Sequence, residues 1–392
     1  MQAQESSRLV ATLSGNYYHA PEIYAQELER IFGQMWVCVD RAEQLQQPGD
    51  YLTVDVGSEN LIIVCGRDSR LRAFYNVCRH RGARLCVDAC GNTKVITCKY
   101  HAWTYGLDGK LQGAPNIASL GDFPRANYGL LPVALETWGG LIWVNLADNP
   151  PPLADQLHPQ ILDRFASLER FARYGLDTLT LGKRITYTVH ANWKLVVENF
   201  MECYHCAPMH PELCALLPAF YNDTSYQGLA GVGTQFAEGV EQFSKSGTGT
   251  RPRLPGLHDE DDRLYFGLTI TPNVLLSFLP DHVIIHIAHP RGPDQTYVTC
   301  DWLFDPAVVA APDFDSSDSV EIFDIVNRQD WEVCELTQQG VRSKAFASGG
   351  VYVPSEHHIV QFNNLVRERL GAPEAQYSTP AWVAEKPGCN RR

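Results

Sequence analysis

Two short segments, NVCRHRGARL and ITCKYHAWTYGLDG, constrain this 392-residue chain more than any other part of it. The first puts Cys78 and His80 in one loop; the second puts Cys98 and His101 in another, with 17 residues between His80 and Cys98. Each loop therefore offers one thiolate and one imidazole. Strand-like runs flank both loops, and Leu107-Asp108-Gly109 is a turn signal, so the four donors are expected on a rigid β framework.

Two metal centres use such donors. A [2Fe–2S] cluster with two Cys on one iron and two His on the other needs this supply, and the imidazoles raise its potential relative to an all-Cys cluster. A Cys2His2 zinc site takes the same residue types, but C-x-H is tighter than the usual zinc spacing and no zinc-finger helix follows. Cys86 and Cys90, between the loops, read as thiols of the connecting segment. The 12 cysteines occur in a chain without a basic-then-apolar leader, which argues for thiols and metal ligands over a disulfide framework and for a cytoplasmic location. The longest apolar runs are strand-length, so no membrane span is expected. Lys+Arg 32 against Asp+Glu 45 leaves a net charge of −13, which disfavours nucleic acid as a partner.

Residues 1–44 read as an N-terminal helical segment, with a short helix over 21–33. Residues 45–146 have the texture of a small all-β domain, with YLTVDV, LIIVCG, LRAFYNV, KVITC and GLIWVNL separated by turns. ADNPPPLADQ (147–156) is the linker, because successive prolines hold the backbone extended. Residues 157–392 mix strands with helices near 192–207 and 317–339, giving an α+β domain on an antiparallel sheet. The polar stretch 222–263 reads as a long loop or mobile insert.

A second constellation lies in NWKLVVENFMECYHCAPMHPEL. On a helix, Glu198, Glu202 and His205 would share one face, and Pro208 would break the helix so that His205 and His210 converge. Two His and one carboxylate form the facial triad of non-haem Fe(II) oxygenases. In SSDSVEIFDIVNRQDWEVCELTQQG, Asp330 falls on the apolar stripe, where a carboxylate needs a cation or metal. Asp324 falls off it, with Arg328 four residues on as its expected partner. Asp330 is therefore the expected third ligand. His282, His286 and His289 form a rival cluster whose strand context favours pocket lining or ordinary sheet positions.

Together the motifs resemble the catalytic α subunit of Rieske non-haem iron oxygenases over nearly the whole chain, in family order. The resemblance implies a Rieske [2Fe–2S] domain followed by a helix-grip catalytic domain. It also implies a cluster on Cys78, His80, Cys98 and His101, a mononuclear Fe(II) on His205, His210 and Asp330, and O2 as co-substrate. Glu202 and Asn199 are the implied catalytic residues beside the iron. Electrons would come from a separate NAD(P)H-dependent reductase, alone or with a ferredoxin, and the chain would form a head-to-tail homotrimer. Glu202 stands where most ring-hydroxylating members have Asp, and ECYHC resembles the branch acting on carnitine, glycine betaine and stachydrine. That implies hydroxylation or N-demethylation of a small quaternary ammonium compound. The alternative is an aromatic-ring or other small-molecule hydroxylase with the same metals.

Overall fold

The computed structural model describes residues 10–221 and 230–372, and two antiparallel sheets organise them. The first sheet has seven strands in the order Val37–Arg41, Leu141–Asn145, Pro132–Trp138, Leu71–Tyr75, Glu59–Cys65, Asp50–Val56, Cys90–Asn92. ENLIIVC explains why its central strand is buried on both faces: Leu61, Ile63 and Cys65 enter one core, Ile62 and Val64 the other. Through that second core the sheet packs on a three-stranded sheet, Ile96–Thr97, Thr104–Tyr105 and Leu111–Gly113.

The N-terminal boundary is earlier than residue 45. Val37–Arg41 pairs with Leu141–Asn145 as an edge strand of the first sheet. VCVDR is buried at Val37, Cys38, Val39 and Arg41, so the alternation that marks a half-exposed strand is absent. The linker is likewise shorter than expected. A helix, Leu153–Phe165, begins inside it, and Trp36 Nε1 donates to the Pro151 carbonyl at 2.8 Å, fixing the prolines to the body.

The second sheet has six strands in the order Thr180–Val189, Gln295–Phe304, Val283–Gly292, Val274–Phe278, Leu264–Ile270, Thr234–Gln235. Against it lie a buried helix, Trp193–Phe200, and a long helix, Ser317–Gly340. Arg184 joins the two halves, with Nη2 2.8 Å from Asp40 Oδ1 and Nε 2.6 Å from Asp301 Oδ1. Of the expected insert, residues 222–229 lie outside the described residues. The remainder contributes the edge strand Thr234–Gln235 and is otherwise largely irregular but anchored: Arg251 Nε is 2.9 Å from Asp281 Oδ2 and its Nη1 2.7 Å from Asp318 Oδ1, while Phe236 and Phe243 are buried.

Candidate functional site

The two Cys/His loops are the same hairpin built twice. Cys78 N–H donates to Ala83 O at 2.8 Å and receives Gly82 N–H on its own carbonyl at 3.0 Å; Cys98 N–H donates to Trp103 O at 2.8 Å and receives Ala102 N–H at 2.9 Å. The fifth residue of each turn is left-handed, with φ 75° at Gly82 and 55° at Ala102. Glycine adopts that conformation freely, whereas alanine accepts it at a cost of about 1–2 kcal/mol. The loops meet with the His80 and His101 rings 4.7 Å apart, and His80 stacks on Trp103 at 4.9 Å. Cys78 and Cys98 are buried free thiols, and Tyr105 OH lies 3.3 Å from Cys78 Sγ while accepting Arg79 N–H at 3.0 Å. His101 Nδ1 is buried with no hydrogen-bond partner. A buried imidazole nitrogen with a spare valence, beside two thiols and a second imidazole, suits a cluster with two Cys and two His ligands.

The second site sits where the buried helix ends. The helix stops at Phe200, earlier than the expected 192–207 span, so Glu198, Glu202 and His205 do not share a helical face. Glu198 instead turns into the core, where Tyr18 OH donates to it at 3.0 Å. The break has a local cause: Glu202 Oε2 accepts the backbone N–H of Tyr204 and, at 3.3 Å, that of His205. These bonds compete with continuation of the helix and shape the turn ahead of the short Cys206–Met209 helix, which carries Pro208 within it. His210 follows, ahead of Pro211–Leu216.

The geometry brings His205, His210 and Asp330 together. Asp330 Oδ1 is 3.2 Å from His205 Nε2 and 2.9 Å from His210 Nε2. Each imidazole is oriented from behind: Glu202 Oε1 lies 2.5 Å from His205 Nδ1 and Gln329 Oε1 2.7 Å from His210 Nδ1. With Nδ1–H committed there, both Nε2 atoms point to one place, where a metal replacing their protons would meet both lone pairs, as in metal sites with carboxylate-oriented histidines. Burial works to raise the Asp330 pKa, but hydrogen bonds from the two histidines outweigh it and hold it down at about 2. Burial also works to lower His205, and the Asp330 and Glu202 carboxylates override it and push it up to about 10. The convergence point therefore favours positive charge and fits a divalent iron. Cys206 Sγ is also near both imidazoles, but a Cys203–Cys206 disulfide occupies that sulfur. This is one short bridge, not a framework, and sequence reading missed it. Asn199, at the helix end, has Nδ2 3.4 Å from His205 Nε2. Asp324 is off-site as expected, paired with Arg328 at 2.9 Å.

Two family descriptions match the chain: Rieske [2Fe-2S] domain over residues 35–124, and ring hydroxylating alpha subunit (catalytic domain) over 176–372. The chain belongs to the Rieske ring-hydroxylating oxygenase family. It is thus an oxidoreductase that uses a Rieske cluster and a mononuclear iron. It is 33% identical over 378 residues to the glycine betaine monooxygenase oxygenase subunit of Chromohalobacter salexigens, covering 88% of this chain and 83% of the relative. To the carnitine monooxygenase oxygenase subunit of Acinetobacter pittii it is 31% identical, covering 90% of this chain and 93% of that one. The quaternary ammonium Rieske monooxygenase CntA in complex with L-carnitine superposes with a TM-score of 0.71 at 26% identity, over 93% of this chain and 97% of that chain.

In this oxygenase the three converging side chains line a narrow cavity of ≈ 50 Å³ walled by Phe200, Phe220, Tyr265, Phe323 and Trp331. His286 completes it, and its tautomer can be derived. Tyr187 OH is 2.6 Å from Asp324 Oδ1, a carboxylate that only accepts, so the phenol donates there. The phenol oxygen then accepts Asn327 Nδ2–H at 3.3 Å, which turns Asn327 Oδ1 towards His286 Nε2 at 3.0 Å. Nε2 therefore carries the proton. Burial pushes His286 down to about 4, against the Asn327 hydrogen bond and the Asp330 charge, so the imidazole is neutral at neutral pH. Among the described residues no Lys or Arg lines this cavity. The His286 strand position was noted in the sequence; the Tyr187–Asn327 chain and Gln329 were not, because nothing local marks contacts between residues so distant in sequence.

Among the described residues no helix is long and apolar enough to cross a membrane. His282, at the other end of the rival cluster, stacks on Phe304 with ring centroids 5.3 Å apart, away from the metal cavity.

Proposed function

We propose that this chain is the oxygenase component acting on a small quaternary ammonium compound of the betaine or carnitine type. The observation that carries the reading is the cavity wall: five aromatic rings, a neutral imidazole, two carboxylates and, among the described residues, no Lys or Arg. A cation gains attraction on the aromatic faces and meets no Lys or Arg side chain among the described residues of the wall. The names of the relatives, glycine betaine and carnitine monooxygenase oxygenase subunits, support the same class.

In this reading Cys78, His80, Cys98 and His101 hold the cluster, and His205, His210 and Asp330 hold the iron. The two centres together supply electrons and activate O2 beside the substrate. The aromatic wall orients the N-methyl group and excludes water from it. Hydroxylation of that methyl gives a hemiaminal, which releases formaldehyde and leaves the demethylated amine. Glu202 is a positioning residue: its carboxylate fixes His205 and, in a head-to-tail homotrimer, takes a hydrogen bond from His101 of the next subunit. Asn199 flanks the iron ligands at the open side of the cavity. A separate NAD(P)H-dependent reductase delivers the electrons, in the cytoplasm.

A reductase-coupled screen with O2 uptake and formaldehyde detection tests the reading. Turnover with glycine betaine, carnitine or stachydrine is expected. Product formed only from neutral aromatic compounds would refute it.

A further inference from the structure

Two cavities meet at the end of the Trp193–Phe200 helix. The inner one, ≈ 50 Å³, holds the proposed iron ligands; the outer one, ≈ 540 Å³, lies between the Leu153–Phe165 and His357–Leu370 helices. Three successive residues divide them: Asn199 lines only the inner cavity, Met201 only the outer, and Phe200 both. Among the described residues Phe200 is the one residue common to the two walls. It is also the last residue of the helix and only half-buried.

We propose that the outer cavity is the antechamber through which substrate reaches the iron and that the Phe200 ring is the partition it must pass. The route follows from the shared wall; which molecule uses it rests on the substrate reading above. The charge distribution agrees with a zwitterionic quaternary ammonium compound. The outer cavity is bordered by Asp155 and Asp163 and also by Arg164 and Arg369, so both ends of such a molecule find opposite charge there. The inner cavity is walled by five aromatic rings, whose faces attract the cationic end. A phenyl partition lets that end through at low cost, because the ring face attracts a cation while it is leaving water.

The test measures entry rates directly. With the cluster intact and cobalt(II) in place of the mononuclear iron, imidazole binding is followed by stopped flow through the ligand-field bands, with no turnover required. Phe200→Trp thickens the partition, Phe200→Ala removes it, and Gln361→Trp adds bulk at an exposed position on the rim of the outer cavity. Association is expected to slow about tenfold in Phe200→Trp and Gln361→Trp and to quicken at least about threefold in Phe200→Ala. Dissociation should change in parallel, leaving Kd within about threefold. Unchanged association in Gln361→Trp, a surface variant that leaves the core alone, would overturn the route. So would a Phe200→Trp effect confined to Kd, which would make Phe200 only a wall of the binding cavity. The same rates are measured with glycine betaine, L-carnitine and choline. If imidazole responds as expected but none of the three binds, the route stands and the substrate reading falls. If one binds at rates indifferent to both tryptophans, the route falls and the substrate reading stands.

Discussion

Glu198 is a carboxyl group in the core beneath the iron site, 7% exposed, with Tyr18 OH donating to its two oxygens at 3.0 and 3.1 Å. Burial raises its pKa from 4.5 to about 8, against the Tyr18 and Asn363 hydrogen bonds and the Lys194 charge. The folded chain therefore binds a proton that the unfolded chain has released at neutral pH. Because the folded state binds more protons, stability falls as pH rises from about 4.5 and levels off above about 8. At about 1.4 kcal/mol per pKa unit, the loss between about pH 5.5 and pH 8.5 is on the order of 3 kcal/mol. Glu198→Gln keeps the shape and an acceptor for Tyr18 but cannot ionise, so it removes this slope. An unfolding entropy of roughly 2 cal/mol/K per residue makes 1 kcal/mol worth roughly 1 °C in a chain this long. The melting advantage of the variant should then grow by about 3–4 °C from pH 5.5 to pH 8.5 in differential scanning calorimetry of the holoprotein. A gap constant to within about 1 °C, whatever its size, would refute a buried carboxyl that stays protonated.

Cys78→Ser should abolish the EPR signal of the reduced cluster while iron at the second site persists; stoichiometric zinc with no such signal in the wild type would remove the cluster assignment. Asp330→Ala or His210→Ala should lose mononuclear iron and turnover with the Rieske spectrum intact, and full iron with full activity in Asp330→Ala would displace it as a ligand. Glu202→Gln should retain iron and a reducible cluster but turn over at least about tenfold more slowly, as expected for loss of the group that orients a metal-binding histidine. Mixed trimers of Cys78→Ser and His210→Ala chains should recover part of the activity; none, in trimers shown to have formed, would place electron transfer within one chain.

What was legible in the sequence was local or periodic. The proposed cluster ligands lie within two short loops, so their spacing alone picks out two Cys and two His as a donor set. Asp330 was legible because Ser317–Gly340 is an unbroken helix, and along it an apolar stripe predicts which side chains face inward. The helix end was not legible. Apolar periodicity continues through Met201, and the break is made by a side chain, Glu202, bonding to backbone N–H groups ahead of it. Composition does not separate such a glutamate from a helical one. The edge strand Val37–Arg41 escaped for the opposite reason, since a strand buried on both faces has no alternation to read.

A second departure from helical geometry, at His210 (φ −125°, ψ 64°), makes the convergence possible. In a straight helix, His205 and His210 five residues apart would point in well-separated directions, and one Asp330 oxygen could not stand within 3.2 Å of both. Ending the first helix at Phe200 frees Glu202 to hold His205 by its Nδ1, and leaving the Cys206–Met209 turn at His210 aims that ring at Gln329 and Asp330. The Cys203–Cys206 bridge closes the turn that carries His205. The end of the first helix leaves Phe200 as a terminal ring between two cavities. Glu202 bonds both to His205 and to the chain just after Phe200, so one carboxylate ties the proposed ligand set to the proposed partition. A substitution at Glu202 that cannot accept the Tyr204 and His205 N–H groups, such as Glu202→Leu, should disturb iron retention and entry rates together, whereas Glu202→Gln should leave both near normal and slow turnover alone.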